Sequence, residues 1–188
     1  MGRRTLLAWG VLACLLQLQG CSQEKWGQPQ DLGSITVRAP DTWTVEEPTS
    51  PMRKAQYRLP RAEGDAEDAS LIVYYFGPGQ GGSVEDNLER WYGQFLQPNG
   101  SLTKDRARVN RQTVSGMPVT TADMSGTYAP SAMGPMMPAP DPRPNFRMLA
   151  ALVESPQGVY YFKLTGPEKT VERWKGTFDR YIGRIQKK

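Results

Sequence analysis

Apolar positions recur at helical spacing in two places. Val84, Leu88, Trp91, Tyr92, Phe95 and Leu96 fall on one face of a helix predicted from Val84 to Leu96. Ser83 is placed to cap it, Glu85 and Asp86 suit its first turn, and Pro98 and Gly100 end it. Val171, Trp174, Phe178, Tyr181, Ile182 and Ile185 mark a second helix, predicted from Pro167 to Gln186. Pro167 suits its first position, and Lys187 and Lys188 complement its C-terminal dipole.

The remaining apolar segments are short and read as strands: 34–38, 53–59, 70–76, 106–114, 119–128, 146–154 and 159–165. Ser115-Gly116-Met117-Pro118 and Ser155-Pro156-Gln157-Gly158 are turn signals between neighbouring strands. Strands joined this closely pair antiparallel. The predicted fold class is α+β: a single domain with an antiparallel sheet packed against two main helices. It spans 34–188, about 155 residues, a usual size for one domain.

Two stretches resemble each other. Val73-Tyr74-Tyr75-Phe76 recurs as Val159-Tyr160-Tyr161-Phe162, and Glu89-Arg90-Trp91 recurs as Glu172-Arg173-Trp174. They read as two strand–turn–helix units on a shared sheet. Both tryptophans lie on apolar stripes, which points to core packing.

The start of the chain has a different pattern. Met1-Gly2-Arg3-Arg4 precedes an apolar run from Leu6 to Leu18, too short to span a bilayer. Basic residues followed by a short apolar run have the order of an export signal. The run closes on Leu18-Gln19-Gly20-Cys21, which resembles the bacterial lipobox, although Gln19 departs from the usual small residue. That resemblance implies cleavage before Cys21, lipidation of Cys21, and stable anchoring to a membrane through several acyl chains. Ser22 after the cysteine, rather than Asp, implies the outer membrane, facing the periplasm. Residues 22–33 are polar and read as a flexible tether.

Composition narrows the chemistry. The chain has two cysteines; Cys14 leaves with the leader, so the mature chain can form no internal disulfide. It has no histidine, which removes Ser-His-Asp catalysis, His-ligated zinc and the usual proton shuttle. Loss of Arg3 and Arg4 lowers the formal net charge from +4 to +2, leaving no electrostatic case for nucleic acid. No catalytic residue, cofactor or metal site is predicted.

Three stretches invite a closer look. Gly77-Pro78-Gly79-Gln80-Gly81-Gly82 fits the dinucleotide-binding spacing, but that motif needs a parallel setting and the neighbours here are hairpins, so it reads as a turn. Glu63, Asp65, Glu67 and Asp68 read as a solvated hairpin loop. Residues 129–145 carry six prolines together with Met133, Met136 and Met137, and read as an exposed connector. Met133, Met136, Met137 and Phe146 are the predicted interaction loop for an envelope protein partner. The alternative is a small-ligand or Cu(I)-binding protein, since thioethers are soft ligands.

Val73-Tyr74-Tyr75-Phe76-Gly77-Pro78-Gly79-Gln80-Gly81-Gly82 and Phe162-Lys163-Leu164-Thr165-Gly166-Pro167-Glu168-Lys169-Thr170-Val171 look like segments of a group of uncharacterised exported bacterial proteins. The layout of sheet, mid-chain helix and long C-terminal helix resembles the PsbP-type α/β/α sandwich, shared by DcrB-like bacterial lipoproteins. That resemblance implies a membrane-anchored binding or accessory subunit without enzymatic activity. It carries over no functional residue.

Overall fold

Two tight hairpins organise the C-terminal half of the sheet. Ser115 and Gly116 both take positive φ, 49° and 75°, which suits a two-residue turn between twisted strands. A computed structural model of the chain describes residues 24–131 and 138–188. Its strands are β1 (Gln30–Asp31), β2 (Ile35–Val37), β3 (Thr44–Glu46), β4 (Arg53–Leu59), β5 (Ala69–Tyr75), β6 (Phe95–Leu96), β7 (Arg108–Val114), β8 (Met117–Tyr128), β9 (Arg143–Ser155), β10 (Gly158–Pro167) and β11 (Gln186–Lys187). Its helices are α1 (Val84–Tyr92) and α2 (Glu168–Gly183).

The main antiparallel sheet runs β3-β4-β5-β10-β9-β8, with β6 and β7 both paired to the outer side of β8. β1, β2 and β11 form a separate three-stranded sheet. β9 is covered on both faces, so it reads as a continuous apolar run rather than an alternating one. Leu149, Ala151 and Val153 join the core beneath α2, while Met148, Ala150 and Leu152 join the core beneath α1. The two helices therefore lie on opposite faces of the sheet.

α2 buries Val171, Trp174, Phe178, Tyr181 and Ile182. Tyr181 packs edge-on against Trp43 at 5.1 Å and Tyr57 at 6.0 Å between ring centres. Truncating a buried ring such as Phe178 typically costs about 3–5 kcal/mol. α1 is short and depends on its cap: Ser83 Oγ accepts from the Asp86 N–H, and Asp86 accepts from the Ser83 N–H.

Several expectations need correction. α1 stops at Tyr92, because Gly93 caps it and Phe95–Leu96 turn to pair with Thr127 and Tyr128. α2 stops at Gly183, because Gln186 and Lys187 pair with Thr36 and Ile35. The stretch read as a tether is docked from Glu24 onward. Glu24 accepts from Thr177 Oγ1 (2.7 Å) and Arg180 Nε (3.0 Å), and the Arg184 guanidinium lies 4.6 Å from the Trp26 ring centre. Backbone bonds join Gly27 N–H to Ala39 O and Asp41 N–H to Lys25 O. Polar composition hides these contacts, because the docked groups are themselves polar.

The acidic loop is also tied down. Asp65 accepts from the Thr170 N–H (2.8 Å) and its hydroxyl (2.6 Å), capping α2 from across the fold. Pro167 stands at the N-cap position and has no side-chain donor or acceptor to do this itself. The repeated tetrapeptides lie side by side: Tyr74 is opposite Tyr161 and Tyr75 opposite Tyr160. Equivalent residues face opposite sides, Val73 toward α2 and Val159 toward α1. That inversion matches the opposite placement of the helices that follow.

Candidate functional site

Among the residues singled out in the sequence, Cys21, Met133, Met136 and Met137 lie outside the described residues. Phe146 is described, and its position corrects the expectation of an exposed contact. It is 6 % exposed, stacked on Tyr128 with 6.1 Å between ring centres, and covered by the Arg143 guanidinium at 4.4 Å. The prolines suggest a loop through Asn145, but pairing begins at Arg143 opposite Tyr128. Asn145 takes a positive φ of 55° just before Phe146 enters the core.

The glycine stretch after β5 is a strand-to-helix turn, since both neighbours of β5 are antiparallel. Gly81 has φ +94°, and a Cβ there would collide with the Tyr161 hydroxyl and ring. The turn thus lets Tyr161 reach the backbone, donating to Gln80 O at 3.3 Å.

A charged cleft of about 370 Å³ lies between β8, β9 and α2. Arg147 sits in it with its side chain 12 % exposed. Its Nε and Nη2 donate to the two Asp123 oxygens, each at 2.7 Å, and its Nη1 donates to Glu172. Asp123 is the main reason the guanidinium is held above its ordinary pKa. A bidentate pair of this kind fixes geometry as well as charge. It ties two strands of the sheet to α2, with its charges already matched.

The second site has unmatched charge. α1 supplies Asn87, Arg90 and Trp91, Gln94 follows just after its cap, and β10 supplies Tyr161 and Lys163; with Tyr74 and Phe76 they line an open cavity of about 190 Å³. Asn87 is fully buried, and its Nδ2 donates to Gly81 O (2.8 Å) and Ser83 O (2.7 Å). Its Oδ1 accepts from Arg90 Nη2, which aims the guanidinium at the cavity. Lys163 Nζ donates to Gln94 Oε1 at 3.3 Å.

Neither cation meets a carboxylate. No acid lines the cavity, and among the described residues neither Arg90 nor Lys163 forms an ion pair. Burial, with a contribution from Arg90, brings the Lys163 ammonium down to about 8. Tyr161 is pushed up by its own burial, so its phenol stays neutral there. Aromatic rings form the wall: Tyr74 and Phe76 stack at 6.0 Å, and Phe76 meets Tyr161 edge-on at 5.4 Å. The arrangement can hold an anion by two cations while apolar atoms rest on the rings. The legible sign in the sequence is a lysine at position 163, on the same strand face as Val159 and Tyr161.

No family model matches the chain, and no curated protein matches it. Solved structures do. Cyanobacterial PsbP (CyanoP) from Synechocystis is similar with a TM-score of 0.52 at 14% identity, over 93% of this chain and 99% of that one. PA94, a Pseudomonas aeruginosa protein of unknown function, gives 0.43 at 12% identity over 85% and 95% of the two chains. With its antiparallel sheet held between two helices, the chain has a PsbP-like fold.

Proposed function

We propose that this chain is a lipid-anchored, non-catalytic binding module of the bacterial cell envelope. Acyl chains on Cys21 hold it to the outer membrane facing the periplasm, and it serves there as an accessory subunit to an envelope protein. The observation that carries the reading is the leader itself: arginines, a short apolar run, and Leu18-Gln19-Gly20-Cys21 at its end. The docking of Glu24 onto α2 adds geometry. Two residues separate Cys21 from Glu24, so the three steps between them reach about 10 Å at most. An anchor at Cys21 would therefore keep the Thr177–Arg180 side of α2 close to the lipid surface.

Two features favour binding over catalysis. The chain lacks histidine. Its most elaborate cluster of acids and bases, Arg147 with Asp123 and Glu172, is closed on itself as ion pairs. The proline-rich connector with Met133, Met136 and Met137 supplies the partner contact in this reading, because methionine adapts to irregular apolar surfaces.

Cell fractionation with in-cell cross-linking tests it. Wild-type protein is expected in the outer-membrane fraction, cross-linked to one envelope protein at about one-to-one. Cys21→Ala should leave that fraction. Wild-type protein found free in the periplasm would contradict the anchor, and cross-links no richer than background would contradict the accessory role.

A further inference from the structure

We infer that the cavity between α1 and strands β5 and β10 is a binding site for a small organic carboxylate, held by Lys163 and Arg90 with its apolar body against Tyr74 and Phe76. The inference does not depend on the lipid anchor, since every residue it uses belongs to the folded domain.

Two cations converge on one cavity of about 190 Å³ whose lining contains no acid. Lys163 is the largely buried one of the two, while Arg90 reaches the cavity from the exposed side of α1. A buried ammonium is ordinarily paired, because moving it out of water unpaired is expensive. The nearby Arg90 disfavours the charged form of Lys163 further. Gln94 and Asn87 orient the two groups through their amide oxygens without neutralising them. The fold thus maintains a positive, partly desolvated cavity, and an anion entering it would recover that cost. Perturbed ionisable groups in a cavity with few polar partners are the usual mark of a binding site.

The walls select among anions. Phe76 is 38 % exposed and is one of only a few large apolar side chains at the surface among the described residues. It stacks on Tyr74 and meets Tyr161 edge-on, so the rings form a wall beside the two cations. A bare inorganic anion would satisfy the cations and leave that wall wet. An organic carboxylate covers both. The volume sets the scale of the part held inside, since drug-sized ligands occupy cavities of roughly 300–1,000 Å³. A carboxylate with one ring or a short chain fills a space of about 190 Å³.

The test uses the protein extracted in detergent as the cell makes it, with benzoate, benzamide and inorganic phosphate as probes. Binding is followed by NMR on the indole N–H of Trp91, a residue of the cavity lining. Benzoate should shift that signal saturably, phosphate should bind at least tenfold more weakly, and neutral benzamide should give no saturable shift. Lys163→Met should weaken benzoate at least tenfold, and Arg90→Gln should weaken it in the same direction. The folded state of each variant is checked by its unchanged remaining indole signals. Equal responses to benzoate and benzamide would overturn the role of charge. Phosphate binding as tightly as benzoate would overturn the carboxylate assignment. Full benzoate affinity in Lys163→Met, or no saturable response to benzoate in the wild type, would overturn the site.

Discussion

Lys163 shows how one residue can oppose the stability of the element that carries it. It lies in β10 between fully buried neighbours, Phe162 and Leu164, which face α2 while Lys163 faces α1. The groups facing its ammonium are Arg90 from α1, Gln94 just after that helix, Tyr74 from β5 and Tyr161 from its own strand. Burial holds both phenols above their ordinary range. Folding lowers the lysine pKa to about 8, against about 10.4 in an unfolded chain. Across that interval the unfolded chain holds a proton that the folded chain has released. This residue's contribution to stability therefore improves as pH rises from 8 to about 10.4, and its penalty is complete below pH 8. Lys163→Met should raise stability at pH 7 by about 1–3 kcal/mol, with a flatter stability profile above pH 8 than the wild type. Denaturant titration of both proteins at several pH values checks this. A variant less stable than the wild type at pH 7 would show that the ammonium is better satisfied than its surroundings indicate. A stability cost retained at a cavity is what a binding role explains and a purely structural one does not.

At the scale of elements, the legible parts were those that carry periodicity within themselves. β4 spans Arg53–Leu59 as its alternation predicts, and β7 and β8 meet at the Ser115-Gly116 turn. The strands missed are two or three residues long. β1, β6 and β11 exist only because a partner strand supplies their hydrogen bonds, and no pattern of two residues can announce that. The helix stripes ran past the true ends of α1 and α2 for a related reason. Phe95 and Ile185 are buried in β6 and after α2 as they would be on a helix, so burial alone could not mark the change of backbone. The site was less legible than the fold. Its residues come from β5, α1 and β10, and only packing brings Lys163 to Arg90. The cap of α2 was equally hidden, because Asp65 lies over a hundred positions from Thr170. Asp65→Ala should remove two hydrogen bonds from the first turn of α2 and cost about 1–2 kcal/mol. Hydrogen exchange should then show faster exchange at Thr170 and Val171, with the β8–β9–β10 sheet unchanged. Unchanged protection in that first turn would mean the loop merely rests on α2.

The whole molecule is a sheet closed on both faces, with one helix on each. The repeated Val-Tyr-Tyr-Phe segments pair antiparallel at its centre, joining β5 to β10 and placing α1 and α2 on opposite sides. Different duties fall to the two faces in this account. On the α2 face, Glu24 docks against Thr177 and Arg180, so an anchor at Cys21 would set this side near the membrane. The α1 face, with Lys163, Arg90 and Phe76, would then point toward the periplasm and its solutes. Among the described residues no helix is long and apolar enough to cross a membrane. The most direct measurement is the mass of the tryptic peptide ending at Lys25, taken from membrane-extracted protein. The account predicts a peptide that begins at Cys21 and carries the mass of a diacylglyceryl group and an N-linked acyl chain. A peptide with a free Cys21 thiol, or one whose processed start lies elsewhere, would contradict it.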